Sequence, residues 1–381
     1  MANDKGGQSR RGLRLDDRVD ERFARWRERL ERSPRWARLA LIVEGTRESL
    51  FGSSDRVPRG AAYLRDSLGM QRYMFMPIFA VLPAAVASIY FYGWRALAII
   101  AVSYFFGALT ELTFCVVRRT EISEGLLVTG ILYPLVLPPT LPLWMVALGA
   151  IVGVAIGKEL FGGTGYNIFN PALVGRAFLA FAFPVHMTSV WYEPFTGWPG
   201  GFVHYAPAAD ALTKATPLMR MKFDHVPTDW LKLLWGNVSG SLGETSALLL
   251  ILGGLLLILT KTIDWRVPVG YIASLGLFSW LLRWLQPGRF AGPVFQILAG
   301  GLLLGAFFMA TDPVTSPVTP KGRWIFAVLL GLLTMGFRAF TGFPEGVMFA
   351  ILVGNMFTPL IDRLTLPRGV RPRAREREEA G

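Results

Sequence analysis

Between Asp210 and Leu218 the chain reads Asp-Ala-Leu-Thr-Lys-Ala-Thr-Pro-Leu, placing the Asp210 carboxylate, the Lys214 ammonium and the hydroxyls of Thr213 and Thr216 close together, with small Ala215 between. Taken alone, such a cluster is an ordinary Asx- and Thr-rich turn. More unusual chemistry sits in the oily parts of the chain. Glu111, Glu124, Glu159, Glu244, Asp312, Glu345 and Asp362 lie inside apolar runs or at their edges. A carboxylate at the centre of a bilayer costs about 3 kcal/mol, so such residues serve an ion pathway or pair with a cation. Glu111 is the deepest, and a pathway, a buried pair and a protonated carboxyl are all open to it. Glu124 and Asp362 sit near run ends, where the cost falls and solvation is a plain alternative. Asn167 and Asn170 belong to Phe-Gly-Gly-Thr-Gly-Tyr-Asn-Ile-Phe-Asn-Pro-Ala-Leu, a Gly- and Pro-broken stretch. Backbone freed there must be satisfied by protein, water or a ligand. Close helix packing on the glycines is the competing reading. The stretch lacks the Gly-Lys-Ser/Thr ending of a phosphate-binding P-loop. His186, His204 and His225 share no metal-ligand spacing on one element.

The elements that position these groups are membrane helices. The 381 residues are 52% hydrophobic and only 17% charged, against about a quarter charged in soluble domains, and mean hydropathy is +0.41. Apolar runs approach the ~20 residues needed to cross a bilayer as helix, and they lack the alternation of a transmembrane barrel. Ten spans are predicted, at 72–92, 95–117, 124–139, 142–157, 168–185, 243–262, 265–285, 293–312, 323–341 and 345–362. The net charge of +12 lies mostly in the two ends. It reads as an orientation signal and not as a nucleic-acid footprint, because no recognition motif accompanies it. With the amino terminus inside, every inner loop carries Lys or Arg, and among the short outer loops Arg289 is the one exception. Loop 186–242, with Thr216, then faces out. One cysteine excludes an internal disulfide and an iron–sulfur cluster held by this chain alone.

The two halves resemble each other. Gly93–Arg95 parallels Asp264–Arg266, Tyr133–Trp144 parallels Asp312–Trp324, Trp144 to Lys158 has the spacing of Trp324 to Arg338, and Gly165–Leu173 parallels Gly354–Ile361. Five spans per copy is odd, so the second copy is inverted, as in transporter-like folds. The predicted organisation is an inner region 1–70, with Phe23, Trp26, Leu30, Trp36, Leu39 and Val43 spaced as an amphipathic surface helix or a solvated charged helix. A first five-helix repeat follows at 71–185, an external loop at 186–242, a second repeat at 243–363 and a basic inner tail at 364–381.

Across 58–366, long stretches carry a further likeness: Glu124–Gly149, Gly157–Pro184, Gly243–Leu249, Phe307–Phe326 and Phe343–Asp362. They resemble the B subunit of the sodium-pumping NADH:quinone reductase and its relative, the D subunit of the Rnf electron-transport complex. That resemblance implies an all-α polytopic membrane protein of about ten helices in two inverted five-helix repeats, similar to urea transporters, in a bacterial inner membrane with both termini cytoplasmic. It also implies FMN joined through a phosphoester to the last threonine of an Asp-x-x-Ser/Thr-Gly-Ala-Thr motif. Asp210, Thr213, Ala215 and Thr216 match that motif, so Thr216 is the implied attachment point and a flavin transferase an implied partner. Lys214 stands where the family has glycine, either as a counter-ion to the phosphate or as an obstacle to the transferase. A second, non-covalent flavin is implied, riboflavin in the quinone-reductase branch, with Asn167 and Asn170 as candidate contacts. Glu124 and Asp362 match carboxylates of the implied sodium or proton path, and Glu111 is added to it on its depth. Implied partners are an NADH- or ferredoxin-oxidising subunit, a second FMN subunit, quinone and membrane lipid, without nucleic acid. A solute channel or carrier of the same fold, and an assembly scaffold without flavin, are the readings of other classes.

Overall fold

The computed structural model describes residues 70–119, 125–207, 215–244, 246–343 and 345–367. The amphipathic stretch at 23–43, Glu124, Asp210, Thr213, Lys214 and the tail beyond residue 367 lie outside the described residues. The chain divides into two compact units, one of residues 1–71 with 112–124, the other of residues 72–111 with 125–381. The residues of the candidate site belong to the second.

Among the described residues the protein is helical, without a strand. Helix α1 is Met70–Tyr92, α2 Trp94–Arg118, α3 Gly125–Leu135, α4 Leu143–Gly157, α5 Pro171–Ala182 and α6 Pro184–Thr188. The long loop contributes the short α7, Pro217–Met219, which continues as a π-turn over Arg220–Asp224, and α8, Trp230–Trp235. Then come α9 Ala247–Leu259, α10 Arg266–Leu285, α11 Pro293–Leu298, α12 Leu302–Leu304 running into a π-turn at Gly305–Met309, α13 Pro320–Phe340 and α14 Val347–Thr365. Among the described residues, five segments are long and apolar enough to cross a membrane: Met74–Tyr92, Trp94–Arg118, Leu143–Phe161, Pro320–Phe340 and Val347–Thr365. This is the profile of a multi-pass membrane protein. The other predicted spans fall on the shorter apolar α3, α5 and α9, on α10, and on the interrupted segment α11–α12.

The interruptions have local causes. Helix α3 stops at Leu135, ahead of the predicted 139, because Pro138 and Pro139 cannot supply helical N–H groups. Helix α5 starts at Pro171, with the side chain of Asn170 accepting from the Ala172 N–H at 3.0 Å, the usual arrangement of an N-cap followed by proline. The predicted span 293–312 is not one helix, since its backbone turns extended at Ala299 and left-handed at Gly300, φ +72°.

Close packing draws on small residues. Helix α4 meets α5 so tightly that a Cβ at Gly175 would lie 2.5 Å from the Gly149 carbonyl oxygen, the geometry small residues permit between membrane helices. The largest core cluster joins residues of both halves, including Tyr92, Tyr133, Leu173, Tyr271 and Phe326. One parallel between the halves needs correcting. Pro171 opens α5, whereas Pro359 lies well inside α14, so the paired motifs Gly165–Leu173 and Gly354–Ile361 do not occupy equivalent helical positions.

Candidate functional site

Thr216 closes the long loop at the start of a helical turn. Its Oγ1 accepts from the Met219 N–H at 3.3 Å, making it the N-cap of Pro217–Met219. The chain after it is strapped down by Lys222, whose ammonium donates to the carbonyls of Arg338 at 3.0 Å, Phe343 at 2.8 Å and Thr341. These carbonyls belong to the end of α13 and the turn beyond, where a cation suits the helix dipole. Burial pushes the pKa of this ammonium below its ordinary value.

Thr216 lines a cavity of about 820 Å3. Its walls include Met187, Trp191, Leu218, Met348 and Phe349, and its polar floor is Arg176, Glu244 and Glu345. Arg176 on α5 donates through Nη2 to Glu345 Oε2, and the same nitrogen lies 4.0 Å from Glu244 Oε1. Glu345 Oε1 also accepts from the Gly301 N–H at 2.8 Å. A Cβ at Gly301 would crowd the carboxylates of both Glu345 and Glu244, so a larger residue there would push those side chains aside. The break in α11–α12 therefore presents a backbone donor to a buried carboxylate, as broken membrane helices do. Next to it, Arg338 donates to the carbonyl of Gln296 at 2.5 Å and that of Ala299 at 3.0 Å, satisfying the carbonyls that the end of α11 leaves without helical partners.

A second cavity, about 740 Å3, has no lining residue in common with the first. Asn167, Asn170, Pro171, Lys158, Thr311 and Asp312 are among its walls. Asn167 Nδ2 donates to the Phe169 carbonyl at 3.0 Å and its Oδ1 accepts from the Gly165 N–H at 3.3 Å. Lys158 donates to Glu111 Oε2 at 2.6 Å, and both are almost wholly buried. Of the arrangements open to Glu111, the structure holds the buried ion pair. Asp362, near the end of α14, accepts from the Val318 N–H at 3.0 Å and lines neither cavity.

The two cavities lie toward opposite ends of the same elements. Pro171 at the start of α5 faces the Asn167 cavity, and Arg176 and Ala180 further along face the Thr216 cavity. From 171 to 176 an α-helix rises only about 7.5 Å. Likewise Leu298 and Gly300 line the Thr216 cavity while Phe307, Phe308 and Thr311 line the other. Of the residues singled out from sequence, the structure brings Ala215 and Thr216 to one end, and Asn167 and Asn170 to the other. Arg176 was missed: an arginine in an apolar run, Gly-Arg-Ala-Phe-Leu-Ala-Phe, was the available signal, since a charge there needs a partner.

Comparison with known proteins shows the family of the chain. Residues 58–371 match the family described as NQR2, RnfD, RnfE. The B subunit of the Na(+)-translocating NADH-quinone reductase of Klebsiella pneumoniae is 34% identical over 393 residues, 85% of this chain and 92% of that one. The counterpart in Azotobacter vinelandii is 40% identical over 286 residues, 73% of this chain and 68% of that one. The D subunit of the proton-translocating ferredoxin:NAD(+) oxidoreductase complex of Clostridium ljungdahlii is 40% identical over 319 residues, 80% and 93% of the two chains. These relatives are subunits of oxidoreductase complexes, and the chain belongs to the NQR2, RnfD, RnfE family.

Proposed function

We propose that this protein is the membrane redox subunit of an ion-translocating NADH:quinone or Rnf-type oxidoreductase complex and carries FMN on Thr216. The observation that carries the reading is the placement of Thr216: the last residue of the motif-like stretch caps a helical turn at a cavity with aromatic walls and a charged floor. A phosphoester on its Oγ1 would sit at the start of a helical turn, at the edge of the cavity. Walls that include Trp191 and Phe349 suit a flat aromatic ring. FMN bound there supplies one-electron chemistry. The chain supplies the tether, the ring site and the exclusion of water.

The Asn167–Asn170 cavity is assigned to the second, non-covalent flavin. Its amide groups and threonine hydroxyls within apolar walls suit a neutral ring and a polyol chain. Two redox groups placed along α5 and along α11–α12 would let electrons pass through this subunit, toward or from partners that bind NADH or ferredoxin and quinone. Glu124 and Asp362 are assigned to the coupled path of sodium or protons. Glu111, tied to Lys158, is assigned to the wall of that path.

The scaffold is read as two inverted five-helix repeats, with both termini on the cytoplasmic side of a bacterial inner membrane and loop 186–242 outside. Two features support the repeat. Arg95, at the start of the second helix, donates to the carbonyls of Pro139 at 2.9 Å and Leu141 at 2.9 Å, just before the fourth. In the other half Asp264, beside Arg266, binds Arg323 at 2.5 Å, and Arg323 donates to the Pro317 carbonyl at 3.1 Å. Each copy thus ties the same two points. The paired cations Lys158 and Arg338 likewise stand at the ends of α4 and α13, each in a buried polar contact.

The test is direct. The chain is produced with a flavin transferase, denatured, and run on a gel under ultraviolet light. A fluorescent band that Thr216→Ala abolishes supports the reading, and a wild-type band without fluorescence refutes it.

A further inference from the structure

One polar atom in the Thr216 cavity is out of keeping with its surroundings. Glu244 Oε1 is buried and accepts no hydrogen bond, on a side chain only 7% exposed. Its other oxygen accepts from the Ser241 N–H at a long 3.4 Å. Glu345, by contrast, has Arg176 and the Gly301 N–H. A buried carboxylate oxygen without a donor is costly, and Glu244 is one of the residues that line the cavity. Beside it, 4.0 Å away, stands the guanidinium of Arg176, which uses Nη2 on Glu345 and has Nε and Nη1 donors besides. An acceptor and a fork of donors therefore stand side by side on the floor of a cavity whose walls are otherwise mainly apolar.

A monovalent cation does not suit this floor, because Arg176 already places a positive charge next to Glu244 Oε1. A neutral group with an N–H adjacent to a carbonyl does. The pyrimidine edge of an isoalloxazine ring has that pattern: an imide N–H flanked by two carbonyl oxygens. We propose that Glu244 and Arg176 are the pair that docks the ring of the flavin tethered at Thr216, with Glu244 Oε1 accepting the imide N–H and Arg176 donating to a neighbouring carbonyl. This rests on the assignment of FMN to Thr216. Glu345 is the positioning residue, holding Arg176 in place through the ion pair. The pair would also favour a flavin over any aromatic ligand without such an edge, since mismatched buried polar groups reject analogues strongly.

The experiment uses the full chain, flavinylated in the cell and purified in detergent, in wild-type, Glu244→Gln and Glu244→Leu forms. Covalent flavin is counted on a denaturing gel, and ring docking is read in the native protein from flavin fluorescence anisotropy and intensity. Gln retains a carbonyl acceptor and should keep the ring docked. Leu removes the acceptor, and loss of a hydrogen bond to a charged group should raise the undocked fraction roughly tenfold or more. Its anisotropy should fall toward that of a freely tethered ring while the covalent flavin count stays at the wild-type level. A Leu form with full covalent flavin and wild-type anisotropy overturns the docking assignment and leaves the Thr216 assignment standing. Absence of covalent flavin from the wild type overturns both. Should the Leu form fail to accumulate, Arg176→Lys makes the same comparison: it retains a cation for Glu345 and loses the fork, so unchanged anisotropy again contradicts the proposal.

Discussion

Arg176 and Glu345, 169 positions apart, form a buried ion pair that joins α5 of the first half to the segment leading into α14 of the second. The pair sits where α11–α12 is broken, and the Gly301 N–H completes the acceptor side. It is thus a cross-link between halves, the floor of the Thr216 cavity and the seal on a helix break.

Removing one partner of such a pair strands a charge in a poorly solvated place, which typically costs about 3–5 kcal/mol. Glu345→Ala should therefore lower the thermal midpoint of the detergent-purified protein markedly. Replacing both, as Arg176→Met with Glu345→Leu, should cost less than the sum of the single changes, because no unpaired charge is left. Strict additivity in a differential scanning experiment would contradict the coupling.

The Lys158–Glu111 pair is open to the same test at the other cavity. Glu111→Ala leaves the ammonium of Lys158 buried without its 2.6 Å partner and should destabilise by about 3 kcal/mol or more. Adding Lys158→Met should restore much of that loss. If the single change leaves the unfolding midpoint where it was, the pair contributes nothing to the fold.

The cap that Asn170 supplies and the flavin contact proposed for it separate experimentally. Its Oδ1 caps α5, so Asn170→Ala should cost about 1 kcal/mol of stability, while Asn170→Asp or Asn170→Ser should retain the cap. If the Asn167–Asn170 cavity holds the non-covalent flavin, all three variants should release less flavin on denaturation than wild type. Their covalent flavin at Thr216 should be unchanged, since the two cavities share no wall residue.

Asp264 supplies a pH dependence. Burial raises the pKa of its carboxyl, but hydrogen bonds from the Arg266 N–H and from the Arg323 and Arg266 side chains outweigh that and hold it below the ordinary carboxylate value. A depressed folded-state pKa contributes stability that is full above the unfolded value, about 3.9, and is lost as pH falls through the lower folded value. Asp264→Asn should remove this contribution at neutral pH and flatten the acid limb of the stability profile. Thermal melts of both forms from neutral pH down into the acid range would show it, and parallel acid limbs would contradict it.

Much of the helix placement was legible because lipid leaves little choice. Runs such as Leu-Leu-Leu-Ile-Leu-Gly-Gly-Leu-Leu-Leu satisfy backbone and side chains only as helix, and α9 forms there. The entry to α5 was legible from Asn170 and Pro171, whose cap chemistry is local. The break at Ala299–Gly301 was not, because Leu-Ala-Gly-Gly-Leu is as hydrophobic as a continuous span, and what holds it open is Glu345 from far along the chain. The same holds for the site. Thr216 was singled out by the residues around it, but Arg176, Glu244 and Glu345 meet only once α5 and α14 are packed together, and no spacing in the sequence foretells that meeting.

The most direct measurement is the mass of the tryptic peptide that contains Thr216, taken from protein matured beside a flavin transferase. The account predicts an increment of one FMN less one water, located on Thr216 and absent from Thr216→Ala. An unmodified Thr216 peptide from protein whose transferase modifies a known substrate in the same cells would contradict it.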